Sequence, residues 1–433
     1  MPSPRILRAD NGSEVCVRDL LESGERPSVW TLDGRLRLVP KPVEKILNVG
    51  SRKVFRVRLA SGREVEATGD QCLSTVAGWV PIRLLAADAR VATPRKVPSP
   101  LHTDRVPDAE VILLAHMIGD GSCVKRQPIR YASIDEANLA AVTRAAAHFG
   151  VTGVRDEYPA ARVTTLRLPA PYRLTHGKRN PIAAWLDELG LFGLRSYDKF
   201  IPDQIFALSN GQVALFVRHL WATDGSVRWD TKGQQARVYY ASTSRRLIDG
   251  LLQLLLRLNV RGRVKRFGKA GYRDCWQLTI DGAANQTTFL RDVGVHGARG
   301  LAAEVALVHL ADIRCNTNVD TIPKEIWGRV RTVLAAKGIA HRDFQAMIGS
   351  NFRGSAMWEG SPSRGRLLKI ATALQDSALT SLATSDVFWD RIVEISELGE
   401  QDLVDVVIAD THNYVAQGIS VHDSETPCRS NSR

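Results

Sequence analysis

The sequence predicts a multidomain protein: an all-β outer domain split by an inserted α+β domain built from two similar halves, with a small helical segment before the outer domain resumes. Three observations predict it. With 433 residues the chain is too long for one ordinary core. Period-two strand patterns occupy both ends, at 28–94 and 387–422, while 108–310 alternates long helical patterns with short strands. Motifs within 108–310 also recur at near-constant offsets.

Composition narrows the class. Apolar residues make up 44% and charged residues 24%, which is globular. No stretch approaches the roughly 20 apolar residues needed to span a bilayer, so no membrane partner is expected. The start, Met1-Pro2-Ser3-Pro4-Arg5, has no apolar signal core. Cys16, Cys72, Cys123, Cys275, Cys315 and Cys428 are scattered without a CxxC, so no disulfide framework or zinc knuckle is expected, and a reducing cytoplasm is the expected location. Net charge is +12, unevenly spread: residues 376–425 carry −10 and the first 375 carry +20. A basic body of this kind suits a polyanion, most commonly nucleic acid, although a solvated basic surface is the plainer alternative.

In the N-terminal β-region, Phe55, Val57 and Leu59 alternate with charges, Ser61-Gly62 turns the chain, and Arg63–Thr68 returns as a hairpin with one buried face. At the other end the expected strands are Arg391–Ile395, Leu403–Ile408 and Tyr414–Val421. In the insert, Tyr131-Ala132-Ser133 recurs as Tyr240-Ala241-Ser242 and Val151-Thr152-Gly153 as Val260-Arg261-Gly262, both at offset 109, bracketing helices expected at 136–149 and 245–258. Ile118-Gly119-Asp120-Gly121-Ser122 matches Ala222-Thr223-Asp224-Gly225-Ser226 at offset 104.

Each of these last motifs ends an apolar, small-residue helix in one carboxylate. Ala115, Gly119, Ala222 and Thr223 would let the two helices approach and bring Asp120 and Asp224 together. Two carboxylates at the negative ends of two helix dipoles repel each other. A divalent cation relieves that repulsion, and Mg2+ prefers such oxygen ligands. It can activate water and stabilise the leaving oxygen of a phosphodiester. An Asp-Gly pair on its own is a helix-ending turn; its duplication, one per repeat, favours the metal site.

These segments resemble the paired motifs of LAGLIDADG (DOD-type) homing endonucleases, and Ser196-Tyr197-Asp198-Lys199-Phe200-Ile201-Pro202 looks like that family's approach to its second motif. The resemblance covers 108–310. It implies two αββαββα halves in pseudo-two-fold arrangement within one monomer, strands in the major groove of double-stranded DNA, and Mg2+ held by Asp120 and Asp224, with Gly119 and Thr223 included in the metal-holding set. A basic residue near the scissile phosphates is expected to assist, with Lys265 and Lys269 as candidates. Residues 321–376 read as helices, with Pro323 early in the first, then 343–349, Arg353–Trp358 and Arg364–Ile370; they resemble a helix-turn-helix, or alternatively form a small packing bundle.

The outer pieces, 1–100 and 386–424, resemble the Hint fold of inteins that interrupt bacterial replicative DNA helicases. Ile6–Asp10 matches the first block, Leu59–Asp70 leads into a TxxH block, and Thr411–Ser424 matches the final blocks; 425–433 is a tail. Three departures matter. Met1 stands where a Cys or Ser nucleophile would begin the reaction. Thr68-Gly69-Asp70-Gln71 places Gln71 at the histidine position, and Gln does not protonate near neutrality as His does. Asp423 stands where an Asn would cyclise. His412, His422 and Ser424 remain. The resemblance with these departures implies a homing endonuclease in a splicing-defective scaffold, its DNA site an intein-less helicase gene; a self-splicing or C-terminally self-cleaving intein and a non-catalytic DNA-binding relic are the alternatives.

Overall fold

The computed structural model describes residues 4–156, 162–175, 177–313, 316–349 and 357–424. The chain divides into two units, one formed by residues 1–100 with 316–433, the other by 101–315.

The 101–315 unit contains two runs of the same element order. The first is α1 (Asp108–Gly119), β1 (Gly121–Ser122), β2 (Arg130–Ser133), α2 (Glu136–Ala147), β3 (Val154–Asp156), β4 (Thr164–Arg167) and α3 (Pro181–Glu188). The second is α4 (Asn210–Asp224), β5 (Gly225–Asp230), β6 (Gln235–Ser242), α5 (Arg245–Arg257), β7 (Arg263–Phe267), β8 (Cys275–Thr279) and α6 (Ala283–Thr288), followed by α7 (Ala298–Ala311). The two four-stranded sheets have equivalent orders, β1-β2-β4-β3 and β5-β6-β8-β7. Capping explains several helix starts: Asp135 accepts from Ala137, Ser209 from Gln212 and Ser244 from Leu247. Apart from His116, helix α1 is apolar from Val111 to Ile118, and all of these residues but the half-buried Ile112 are buried. Its core is shared with α4 through Phe216, Val217, Leu220 and Trp221.

The other unit joins distant parts of the chain. One six-stranded sheet runs Glu14–Cys16, Arg5–Leu7, Asn413–Ala416, Ile419–His422, Cys72–Thr75, Gly78–Pro81. Ile6 pairs with Ala416, and Val421 with Leu73, which draws the N-terminal strand and the Gln71 turn onto the C-terminal hairpin. A second feature is a long antiparallel pair, Leu38–Leu59 with Val387–Ile408, each 22 residues.

That pair corrects the reading of Arg391–Ile395 and Leu403–Ile408 as separate strands. The charged stretch between them resembles a loop in sequence. In the fold it stays on the ladder, because a bulge at Gly399 absorbs the irregularity and facing cations neutralise the acids. Lys53 meets Glu397 at 2.8 Å, and Arg58 meets Glu394 across the same ladder. Much of the C-terminal acidic charge therefore faces a basic strand of its own unit.

The helical segment differs in detail. Pro323 precedes the helix Ile326–Ala336 instead of lying within it. His341–Met347 and Arg364–Leu374 follow, and a further helix, Ser377–Thr384, lies beyond the expected end at 376, started by Asp376 accepting from Leu379. Residues 350–356, and so most of the stretch expected at Arg353–Trp358, lie outside the described residues, as do Met1 and the tail 425–433. Cys16, Cys123 and Cys275 are free, whereas Cys72 is disulfide-bonded, one exception to the expected absence of a disulfide framework. Wide spacing along the sequence says nothing about distance in the fold.

Candidate functional sites

The first site lies where α1 and α4 end. A Cβ built on Gly119 would meet Thr223 Oγ1 at 2.0 Å, so the two helices touch at the residue before each acid. Asp120 and Asp224 therefore leave the seam side by side. Both carboxyls are pushed up by their packed surroundings: Asp120 to about 6, with the charge of Asp224 adding to the effect and Arg299 and Lys199 opposing it, and Asp224 in the same direction against Lys199 and Arg299.

Those two cations are residues that the sequence reading did not assign. Lys199 is only 5% exposed. Its Nζ donates to the carbonyls of Met117 at 2.8 Å, Ile118 at 2.9 Å, Gly119 at 3.4 Å and Gly121 at 2.7 Å. It thus caps the α1 C-terminus, with a charge of the sign the helix dipole favours there. Arg299 does the same for α4 through the Ala222 carbonyl, which also accepts from Asn138 at 3.2 Å. The Thr223 hydroxyl donates to the Leu220 carbonyl at 2.6 Å. The signal for Lys199 was its place in the quoted 196–202 segment; Arg299 had none.

Lys265 and Lys269 sit elsewhere on the second half. Lys265 is exposed on β7 opposite Gln277 and lines a groove of about 600 Å3 with Arg228, Arg237 and Arg263. Lys269 lies in the turn between β7 and β8, 4.7 Å from the Tyr272 ring centroid. Neither is among the charges acting on the acid pair.

Among the described residues, no three His, Cys, Asp or Glu side chains gather as a metal cluster. The acid pair offers two carboxylates and nearby backbone oxygens. That is a poor donor set for zinc and a suitable one for Mg2+, which retains water and takes one or two carboxylates plus phosphate oxygens.

The second site is in the outer unit. Asp423 has a side chain with no exposed surface. Its Oδ2 accepts from the Ile408 amide at 3.3 Å and lies 3.3 Å from His412 Nδ1, while its buried Oδ1 makes no hydrogen bond. His422 Nδ1 lies 2.8 Å from the Asp423 carbonyl, and its ring meets Trp79 edge-on at 5.1 Å. The Gln71 side chain donates to the His422 carbonyl, and its amide donates to Thr68 Oγ1 at 3.2 Å. Asp405, also unassigned from sequence, accepts from Tyr414 at 2.6 Å and from the Ser424 amide at 3.0 Å, and burial pushes its carboxyl up. A lone acid in the apolar run Leu403–Ile408 was the available signal.

Residues 211–294 match the LAGLIDADG-like domain. The chain is 35% identical over 432 residues to the replicative DNA helicase DnaB of Synechocystis sp., covering 97% of this chain and 48% of the relative. It is 35% identical over 427 residues to that of Rhodothermus marinus, covering 97% and 45%. It thus spans about half the length of these relatives. Among solved structures, a G-1F mutant of the Ssp DnaB mini-intein variant M86 is 27% identical over 22% of this chain and 61% of its own, with a TM-score of 0.21. The homing endonuclease I-DmoI, in complex with DNA and Mn, is 15% identical over 43% and 96%, with a TM-score of 0.30.

Residues 211–294 thus carry a LAGLIDADG-like domain, and they include Asp224 of the acid pair. More particularly, nearly the whole chain is similar to about half of the replicative DNA helicase DnaB.

Proposed function

We propose that this chain is a site-specific double-strand DNA endonuclease that hydrolyses phosphodiesters with Mg2+, carried as the insert of a Hint domain that no longer splices efficiently. The observation that carries the reading is the Gly119–Thr223 contact, which sets two mutually repelling acids at one seam. Asp120 and Asp224 would hold the metal with the backbone at Gly119 and Thr223. When bound, Mg2+ supplies a polarised water and charge stabilisation at the leaving oxygen. Lys199 and Arg299 hold the helix ends and temper the repulsion between the acids. The two sheets lie in pseudo-two-fold relation, and Arg228, Arg237, Arg263 and Lys265 on the second offer phosphate contacts, so binding weakens as salt rises. Lys265 and Lys269 act on the DNA backbone away from the acids. The protein works as a monomer in the bacterial cytoplasm; no helix among the described residues is long and apolar enough to cross a membrane.

The target class is an intein-less helicase gene. The test incubates the chain with DNA spanning that junction and Mg2+. Cutting that disappears in Asp120→Asn and in Asp224→Asn supports the reading, and unbroken DNA with the wild-type chain overturns it.

The splicing defect rests on Gln71 and Asp423. Gln71 occupies the histidine position with an amide that cannot shuttle a proton, and Asp423 replaces the amide nucleophile. A second reading, slow self-cleavage between Asp423 and Ser424, is favoured by one observation: the buried Asp423 carboxyl lies beside His412 and His422.

A further inference from the structure

Beneath the acid pair, a line of polar side chains crosses a core that is otherwise apolar. His116 on α1 has no exposed surface and His219 on α4 is 5% exposed. Nδ1 of His116 lies 2.9 Å from the Tyr131 hydroxyl on β2, and its Nε2 lies 3.0 Å from His219 Nδ1. The His219 ring stacks on His296 with centroids 4.3 Å apart, and His296 Nε2 lies 3.2 Å from the Ala137 carbonyl on α2. The line therefore crosses from the first half of the unit to the second and returns to the first at Ala137. His116 stands one helical turn before Asp120, and His219 stands slightly more than one turn before Asp224.

Small residues and leucines along such a seam give affinity without register, since aliphatic surfaces slide past one another at low cost. A buried hydrogen bond has only one satisfied alignment. Displacing it strands two polar groups at about 1–3 kcal/mol each. Buried polar pairs are best attested as devices that fix register. The groups facing this pair from the surrounding elements are Tyr131, Asp135, Arg144, Arg218 and His296. A nitrogen-to-nitrogen contact of this length holds one proton between the two rings, and burial lowers both, His116 to about 3 and His219 to about 2.

We propose that His116 and His219 are positioning residues, whose hydrogen bond across the helix pair sets the register in which Asp120 and Asp224 meet. Only the catalytic consequence of this rests on the endonuclease reading. The pair touches neither substrate nor metal. It acts by holding two rigid helices so that their terminal acids are matched.

The test uses the full chain in three arms. With 15N-labelled histidine, a scalar coupling through the hydrogen bond joins His116 Nε2 to His219 Nδ1 at neutral pH and vanishes in His219→Phe. His116→Phe lowers kcat for DNA cleavage by about 100-fold, the scale of an ångström misplacement. KM stays within about twofold, because both rings are buried in the core and offer DNA no contact. His116→Gln, which keeps a hydrogen-bonding group near the Nε2 position, recovers most of the loss. Melting of the two single Phe variants and the double variant is non-additive. Absence of the coupling in the wild-type chain, additive melting, or a Phe variant with wild-type kcat overturns the proposal. If the wild-type chain leaves DNA uncut under Mg2+, the endonuclease reading falls, while the coupling and the melting cycle still decide whether the register bond exists.

Discussion

Gly119 and Thr223 touch at the crossing of two helices, where a Cβ on the glycine would lie 2.0 Å from the threonine hydroxyl oxygen. The contact is between α1 and α4, and the next residue on each strand of chain is an aspartate. Most of what can be tested about this protein follows from that proximity.

Gly119→Ala forces the helices apart. The intruded atoms belong to a β-branched side chain on a rigid helix, which has little room to yield. The expected loss is about 1–3 kcal/mol of stability, with cleavage falling further than DNA binding. Gly328→Ala is the control, because a Cβ there meets nothing within 4 Å in the helix Ile326–Ala336. It should raise stability by roughly 0.5–1 kcal/mol. Denaturant unfolding of both variants checks the pair.

Asp120→Asn and Asp224→Asn should each lower cleavage by roughly 1000-fold or more, several kcal/mol of barrier. DNA affinity without divalent ions should hold or improve, since a negative charge leaves the proposed DNA-facing site. Gel shifts in EDTA alongside cleavage in Mg2+ separate the two effects.

Asp120 also predicts a pH dependence. Its carboxyl rises from 3.8 to about 6 in the fold, so the folded state binds that proton more readily than the unfolded chain. The stability it contributes is present below 3.8 and is lost as pH rises through about 6. On the proposed reading, Mg2+ would remove the repulsion that appears above that range. Added Mg2+ should therefore raise Tm more at about pH 7.5 than at about pH 5. Thermal melts of wild type and Asp120→Asn check this, and the variant should lose most of the difference.

His116 has the opposite sign. Burial first, then the charge of His296, lowers it from 6.5 to about 3 against a smaller opposing effect of Asp135. Its contribution is present above 6.5 and is lost as pH falls through about 3. Between those limits, His116→Phe should lose less stability on acidification than the wild-type chain, as melts across that range would show.

At the second site, Asp423→Asn restores a side-chain amide beside His412 and His422. The expected outcome is faster release of the segment beginning at Ser424, read as a mass loss. Adding Gln71→His should not accelerate that release, because Gln71 contacts the carbonyl of His422 and not that of Asp423.

The helices α2 and α5 and the two acid-ended helices were legible because each carries its own signal, an apolar period or a cap, within one turn. The hairpin Val54–Thr68 was legible for the same reason, whereas Tyr414–Val421, read as one strand, is two, Asn413–Ala416 and Ile419–His422, folded back on each other by a positive-φ turn at Gln417-Gly418. Val387–Ile408 was broken in two by its charges, because a ladder of acids on one strand makes sense only opposite Lys53 and Arg58. Ser377–Thr384 was missed because its start depends on one cap.

Residue types and spacing sufficed to name the two acids and their duplication, and the resemblance to inteins singled out Gln71 and Asp423, since those are properties of short segments. They could not reveal that Lys199 and Arg299 close the two helix ends, that Asp405 reaches the Ser424 amide, or that His116 and His219 share a hydrogen bond. Each of those partnerships joins segments remote along the chain. A hydrogen bond depends on a separation of about 3 Å, and separations of that kind come into being only when the helices and sheets have packed.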